Sequence, residues 1–115
     1  MSKIKRIPTP FSYSDAVQAG DTVYLALHRG FAEDFEGQCR NALEGIRKSL
    51  AHFDLGLESL VKVNVWLKHV SDLPRMEKIF FDYFEKDGFP VRMTSTTEFI
   101  DEDCLIMIDG VAFIE

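Results

Sequence analysis

Apolar residues recur three and four positions apart in two segments of the chain, which is the spacing of one face of an α-helix. The first segment predicts a helix over Phe35–Phe53, with Asp34 as its N-cap and Gly56 as the residue that ends it. The second predicts a helix over Leu73–Glu85, with Pro74 in its first turn, where the missing N–H costs no hydrogen bond. Each helix therefore has one apolar face that must pack against another part of the fold.

The other apolar segments are short and rich in β-branched residues, which favours β-strands. The clearest is Leu60–Lys68, because apolar and polar residues alternate along it. This alternation predicts a core face formed by Val61, Val63, Val65 and Leu67. Five further segments are predicted to be strands: Lys3–Ile7, Phe11–Ala19, Thr22–Leu27, Val91–Phe99 and Leu105–Ile114.

The order of these elements, β-β-β-α-β-α-β-β, predicts an α+β fold with a mixed sheet and both helices on one of its faces. The other sheet face carries Asn64 and Trp66, and the last strand is apolar on both faces. Two helices do not suffice to cover both faces of such a sheet. We therefore expect the second face to pack against another subunit of a homo-oligomer.

Length and charge narrow the class of protein. The chain has 115 residues, which fits one domain over residues 1–115. Its formal net charge is −6 and it has no basic stripe, so we expect no nucleic-acid partner. It has no apolar run near the roughly 20 residues that span a bilayer, and no signal peptide is evident. We expect a cytoplasmic protein that does not bind membranes.

The cysteines and histidines indicate neither a disulfide nor a metal site. Cys39 and Cys104 lie far apart and outside any CxxC pattern, so we expect two buried thiols. His28, His52 and His69 share no ligand spacing, so we expect no bound metal. The sequence also contains no serine or cysteine nucleophile motif and no glycine-rich phosphate loop.

Arg92 and Asp109 stand out because charged side chains are costly within apolar strands. Strands that are adjacent in sequence often pair, so these two side chains could form a structural ion pair. The alternative is a functional site, in which Arg92 binds a substrate carboxylate through its planar fork of donors and Asp109 acts on water as a general acid–base. The residues alone leave both interpretations open.

Tyr13, His28 and Arg29 are further candidates for lining a cleft. Tyr13 is equally explained as a half-buried aromatic residue of a strand. His28 and Arg29 follow the predicted strand Thr22–Leu27, where a solvated loop explains them as well.

Four parts of the chain, in order, resemble motifs of the reactive intermediate deaminase (Rid) family, also called the YjgF-like or L-PSP endoribonuclease family. They span nearly the whole sequence. Tyr13 with Ala19–Leu25 resembles the family's "Y…G…vyvSGq", and Leu60–Leu67 resembles its "diVkvtVfl" strand. Leu73–Phe84 resembles its "f..mN..Y..ff" helix. Phe89–Arg92 and Ile106–Ala112 resemble its "P-A-R" and "v-E-i-E-a-I-A" segments.

The resemblance implies a chorismate-mutase-like α+β fold assembled as a homotrimer, with helices outside and three clefts between neighbouring subunits. It implies that family members hydrolyse enamines and imines, such as 2-aminoacrylate, to a 2-keto acid and ammonia without a cofactor. In this chain it implies that Arg92 binds the substrate carboxylate with a guanidinium left free for it, and that Asp109 positions the attacking water. Tyr13 would close the cleft, and Thr94 stands where members often have a cysteine.

The chain departs from the family pattern at three places. The family's Ser-Gly-Gln is Ala26-Leu27-His28, its helix asparagine is Glu77, and its second glutamate is Asp109. From the roles that the resemblance implies, we assign catalysis to Arg92 and Asp109.

We assign substrate binding to the residues at the remaining matched positions, Tyr13, Leu27, His28, Glu77 and Thr94. The departures indicate a divergent branch with altered substrate or weak activity. The alternatives are a trimer that binds a small carboxylated metabolite without catalysis and, from the family's older label, an endoribonuclease or translation inhibitor.

Overall fold

The computed structural model describes residues 3–115 of the chain. This range contains six β-strands and two α-helices, with short 3-10 turns at Leu57–Ser59 and Val70–Asp72. The elements follow one another in the predicted order. In chain order they are β1 (Ile4–Pro8), β2 (Ser14–Ala19), β3 (Thr22–Arg29), α1 (Phe35–Ala51), β4 (Leu60–Leu67), α2 (Leu73–Tyr83), β5 (Val91–Thr96) and β6 (Ile106–Phe113).

The strands of residues 3–115 form one sheet in the order β1-β2-β3-β6-β4-β5. β4 and β5 run parallel because α2 connects them, and the other neighbouring strands are antiparallel. The predicted α+β fold with a mixed sheet is therefore confirmed. The last strand, β6, lies inside the sheet between β3 and β4, and its side chains are alternately buried on the helix side and partly exposed on the other face.

The core lies between the sheet and the two helices, which cover the same sheet face. Its fully buried side chains come from both layers, and burying each large one contributes about 1.5–3 kcal/mol. The predicted burial of Cys39 and Cys104 is confirmed, and burial raises the pKa of Cys39 to about 12, as expected of an inert thiol. The helices supply Leu43, Ile46, Leu50, Met76 and Phe80, and the strands supply Val63, Val65, Ile106 and Ile108.

The two ends of α1 differ in how well the sequence predicts them. Asp34 is the N-cap, and its Oδ1 accepts a 2.9 Å hydrogen bond from the Gly37 amide, as predicted. The prediction that Gly56 ends the helix is wrong. The chain turns two residues earlier, where Asp54 adopts a left-handed conformation with φ of 61°. Aspartate tolerates this region, so no glycine is required there.

The predicted core face of β4 is wrong at its first position. The register of β4 against β6 shifts between Leu60 and Lys62. This irregularity turns Leu60 into the core, and Val61 remains 50% exposed. Val63, Val65 and Leu67 are buried as predicted.

The sheet face opposite the helices, here called the open face, is rich in apolar side chains. Register places Tyr24 beside Val111 and Trp66 beside Met107 on this face. Met93 lies on the same face and is 60% exposed.

No helix within residues 3–115 is both long and apolar enough to cross a membrane.

Candidate active site

Arg92 lies on the edge strand β5, beside Val63 of β4, so its side chain projects toward the helix face of the sheet. Nη1 and Nη2 donate to Oε1 and Oε2 of Glu77 on α2, over 2.9 and 3.2 Å. Nε donates to Oγ1 of Thr94 over 2.9 Å. The guanidinium also lies 5.6 Å from the ring centroid of Phe80. The structure therefore brings together three of the predicted site residues, Arg92, Thr94 and Glu77.

Glu77 contradicts the expectation that Arg92 has no partner within its own chain. The three hydrogen bonds engage three of the five N–H groups of the guanidinium and leave two for other acceptors. The hydrogen bonds from Arg92 lower the pKa of Glu77. Glu77 therefore carries its negative charge at neutral pH and is the carboxylate that binds Nη1 and Nη2 of Arg92 within the chain.

A groove of 410 Å³ opens beside this pair, and we call it the Arg92 groove. Its walls are the rings of Phe80, Phe81 and Phe89, together with Pro90, and its charged lining consists of Glu77 and Arg92. Phe81 and Phe89 meet edge to face, with ring centroids 5.2 Å apart. An ion pair at the side of an apolar groove is an arrangement that suits a small ligand with polar and apolar ends.

Asp109 lies on β6 and faces the open side of the sheet, where it is partly buried. Its Oδ1 accepts a 2.8 Å hydrogen bond from Nδ2 of Asn64. Its Oδ2 accepts a 3.3 Å hydrogen bond from Nε1 of Trp66. Because each carboxylate oxygen accepts from a different donor, the two hydrogen bonds hold the carboxylate in one orientation.

The sequence singled out Asn64 and Trp66 only as unusual residues on one face of a strand. The alternation of apolar and polar residues along β4 is the sequence feature that places both side chains on one face of the sheet. Their contact with Asp109 depends on the pairing of β4 with β6, which the sequence does not show.

Arg92 and Asp109 do not form the ion pair considered above. Strand β4 lies between β5 and β6, so the two residues are on strands that do not touch. Arg92 is level with Val63, and Asp109 is level with Asn64. Since consecutive residues of a strand project to opposite faces, Arg92 faces the helices and Asp109 faces the open side.

His28 is not placed to bind substrate, contrary to the prediction. It lies within β3 and is buried against α1, where Nε2 is 2.8 Å from Oγ of Ser49. Nδ1 is 2.6 Å from the carbonyl oxygen of Ala26, which only accepts, so Nδ1 carries a proton. The register of β3 shifts between Leu25 and His28, and this shift turns both side chains into the core.

Leu27 and Tyr13 lie away from the Arg92 groove of the same chain. Leu27 is on the open face and lines a 520 Å³ cavity together with Trp66 and Met107. Tyr13 precedes β2, is exposed and stacks on Phe11. Three strands separate β2 from β5, so one chain does not bring Tyr13 to Arg92.

Arg29 also lies in β3 rather than in a loop, and its side chain is largely buried. It forms ion pairs of 3.0 Å with Asp101 and with Asp103, and lies 4.4 Å from the ring centroid of Phe31. Its hydrogen bond holds the pKa of Asp103 below the usual range. Arg29 therefore fixes the charged turn before β6 to the sheet, and it also lines the 520 Å³ cavity on the open face, as a cleft-lining residue was expected to do.

Known proteins share both the sequence pattern and the fold. Residues 3–114 match the family described as Endoribonuclease L-PSP. A RutC family protein of Pyrococcus horikoshii is 28% identical, over 94% of this chain and 92% of its own. The 2-iminobutanoate/2-iminopropanoate deaminase of Dermatophagoides farinae is 24% identical over 100% of both chains.

A solved structure of a yjgF family member from Streptococcus pyogenes superposes with a TM-score of 0.91 at 29% identity, covering 100% of this chain and 99% of that one. This match extends the resemblance from isolated motifs to the complete fold. The chain therefore belongs to the L-PSP endoribonuclease family, which is also the YjgF or Rid family.

Proposed function

We propose that this protein is an enamine and imine deaminase that hydrolyses 2-aminoacrylate-type intermediates to 2-keto acids and ammonia. The observation that carries the proposal is the Arg92 guanidinium, which lies at the side of an apolar groove with N–H groups to spare. Family membership and the name of the Dermatophagoides relative support the same chemistry.

The active unit in this proposal is a homotrimer with one cleft at each contact between subunits. Within one chain, Arg92 and Asp109 face opposite sides of the sheet. A cleft that uses both must therefore take Arg92 from one subunit and Asp109 from its neighbour. The apolar open face, with Tyr24 and Met93 largely exposed, supplies surface that such an assembly buries.

The reaction needs a carboxylate anchor and a base for water. Arg92 binds the substrate carboxylate and fixes the adjacent imine carbon. Asp109 accepts a proton as water oxygen attacks that carbon and the C=N electron pair moves to nitrogen. Asp109 then returns this proton to nitrogen, which gives a protonated amine on the carbon that carries the new hydroxyl group. As the C–N bond breaks and the carbonyl forms, Asp109 takes the hydroxyl proton and passes it to the departing ammonia. An enamine enters the same route after its β-carbon is protonated to give the imine.

The decisive test is Arg92→Ala assayed with 2-aminoacrylate generated enzymatically in the cuvette. We expect 2-keto acid release above the spontaneous rate to disappear, and sedimentation velocity to show an unchanged trimer. Arg47→Ala is the matched control, because Arg47 is also paired with a glutamate, Glu44, but lies on α1 away from the groove. Equal rates for wild type and Arg92→Ala would refute the enzyme, and a monomeric wild type would refute the composite cleft.

A second candidate function is binding of a carboxylated metabolite without turnover. The bulk of Leu27 on the open face favours it, because Leu27 stands where the family motif has a glycine. It predicts that small 2-keto or amino acids raise the melting temperature of a protein that does not accelerate imine hydrolysis. Absence of any such shift would exclude this candidate.

A further inference from the structure

The Arg92 groove carries one positive and one negative group that already satisfy each other. The side chain of Arg92 is 26% exposed and the side chain of Glu77 is 43% exposed, so both remain accessible from the groove. Among the groove's lining residues in the described chain, the others are apolar. The groove therefore presents a dipolar end and an aromatic end to any ligand.

A ligand carboxylate that binds both Nη1 and Nη2 of Arg92 has to compete with Glu77, because Glu77 occupies this pair of donors. When a monoanion takes this place, Glu77 loses its partner and its charge lies beside a second carboxylate, which is unfavourable. A ligand that also carries a positive nitrogen avoids this cost, because its nitrogen can bind Glu77 while its carboxylate binds Arg92. One intramolecular ion pair is then exchanged for two intermolecular ones.

We propose that Glu77 makes the groove selective for acids with a cationic nitrogen on the neighbouring carbon, and for those with a branched or aromatic side chain. This inference rests on the proposed function in that it assigns the substrate carboxylate to Arg92. A protonated imine has the required charge pattern. The 2-keto acid product has lost the nitrogen, so Glu77 recovers Arg92 and the product is released.

The apolar end of the groove defines the side chain of the ligand. Phe80, Phe81 and Phe89 form its wall, and Phe89 also contacts Phe84 with ring centroids 6.0 Å apart. A cavity of 410 Å³ is far larger than a three-carbon acid and lies in the range of ordinary ligand sites. A side chain of leucine or phenylalanine size fills more of this wall than the methylene of 2-aminoacrylate.

The test compares two stable ligands with the same carbon skeleton, L-leucine and 4-methyl-2-oxopentanoate, by isothermal titration calorimetry at neutral pH. L-Leucine represents the protonated imine, and the keto acid represents the monoanion. We expect wild type to bind L-leucine at least tenfold more tightly than the keto acid, and more tightly than L-alanine. Glu77→Gln should bind the keto acid more tightly than wild type does and should lose the preference for L-leucine.

The matched control is Glu44→Gln, which removes a carboxylate from a comparable arginine pair on α1, with Nη1 of Arg47 at 2.6 Å. It should keep the wild-type preference. The comparison of the two ligands binding to wild type needs no variant, so it tests the inference even when Glu77→Gln does not fold. Equal affinities for the two ligands, tighter binding of the keto acid, or no binding of either by wild type would overturn the inference.

These outcomes separate the inference from the proposed function. A wild type that never hydrolyses imines but shows the Glu77-dependent preference would refute the deaminase and leave the ligand class intact. Hydrolysis that depends on Arg92, together with a Glu77→Gln variant that keeps the preference for L-leucine, would support the deaminase and refute the role of Glu77 in ligand selection.

Discussion

Asn64 donates a 2.8 Å hydrogen bond from Nδ2 to Oδ1 of Asp109 across the antiparallel pair β4 and β6. With Trp66 on the other oxygen, the carboxylate is fixed at both ends. Asp109 is one methylene shorter than the glutamate of the family motif, so its reach is reduced. In a deaminase, two fixed donors would compensate by holding this shorter carboxylate in one orientation.

Replacing Asn64 by leucine should therefore slow the proposed reaction without dissociating the protein. Misplacement of a catalytic group by about 1 Å costs on the order of a hundredfold in rate, and we expect a loss of roughly ten- to a hundredfold in kcat. Stopped assays of 2-keto acid release would measure it. Asn41→Leu is the control, because its amide also donates one hydrogen bond, to the Phe31 carbonyl, far from Asp109. Similar rates for both variants would contradict a positioning role for Asn64.

Mixed trimers should regain activity from two inactive variants. In the proposed mechanism, Arg92→Ala lacks the group that binds the substrate carboxylate, and Asp109→Asn lacks the base. In randomly mixed rings of equal amounts, roughly a quarter of the subunit contacts combine an intact Arg92 with an intact Asp109 from the neighbour. Purification through both tags of the co-expressed subunits removes the unmixed trimers, and each remaining trimer has one such contact among its three. We therefore expect the doubly tagged trimers to recover about a third of wild-type activity. No recovery in the mixed trimers would refute the cleft shared between neighbouring subunits.

The buried His28–Ser49 contact should be measurable as stability. Ser49→Ala removes the partner of Nε2 and leaves this nitrogen buried without a hydrogen bond. We expect the free energy of unfolding, measured with urea, to fall by about 1–3 kcal/mol. The exposed Ser71 supplies the control, and Ser71→Ala should change stability far less. An unchanged midpoint in Ser49→Ala would show that the contact contributes nothing.

The Glu77–Arg92 pair should give stability a defined dependence on pH. Arg92 lowers the pKa of Glu77 from its usual 4.5, so the folded state releases this proton more readily than the unfolded state. The stabilising contribution is complete above the unfolded pKa and is lost as the pH falls through the folded pKa. The difference in unfolding free energy between wild type and Glu77→Gln should stay constant near neutral pH and shrink below about 4.5. Urea titrations across this range would measure it, and a difference that grows on acidification would be inconsistent with the pairing.

The sequence by itself determined the elements of the fold, because their signals are local. The apolar spacing of α1 and the N-cap Asp34 concern residues within one or two turns of each other. The alternation along β4 predicted its buried valines, except at Val61, where a shift of register against β6 decides the outcome. The motifs also identified Arg92, Thr94 and Glu77, which the structure brings together.

The tertiary structure alone decided how the charged residues are distributed. The position of β4 between β5 and β6 separates Arg92 from Asp109 and gives each a partner that the sequence did not predict. A register shift in β3 buries His28. Strand order and register depend on contacts between residues distant in sequence, and the periodicity of a single segment does not contain them.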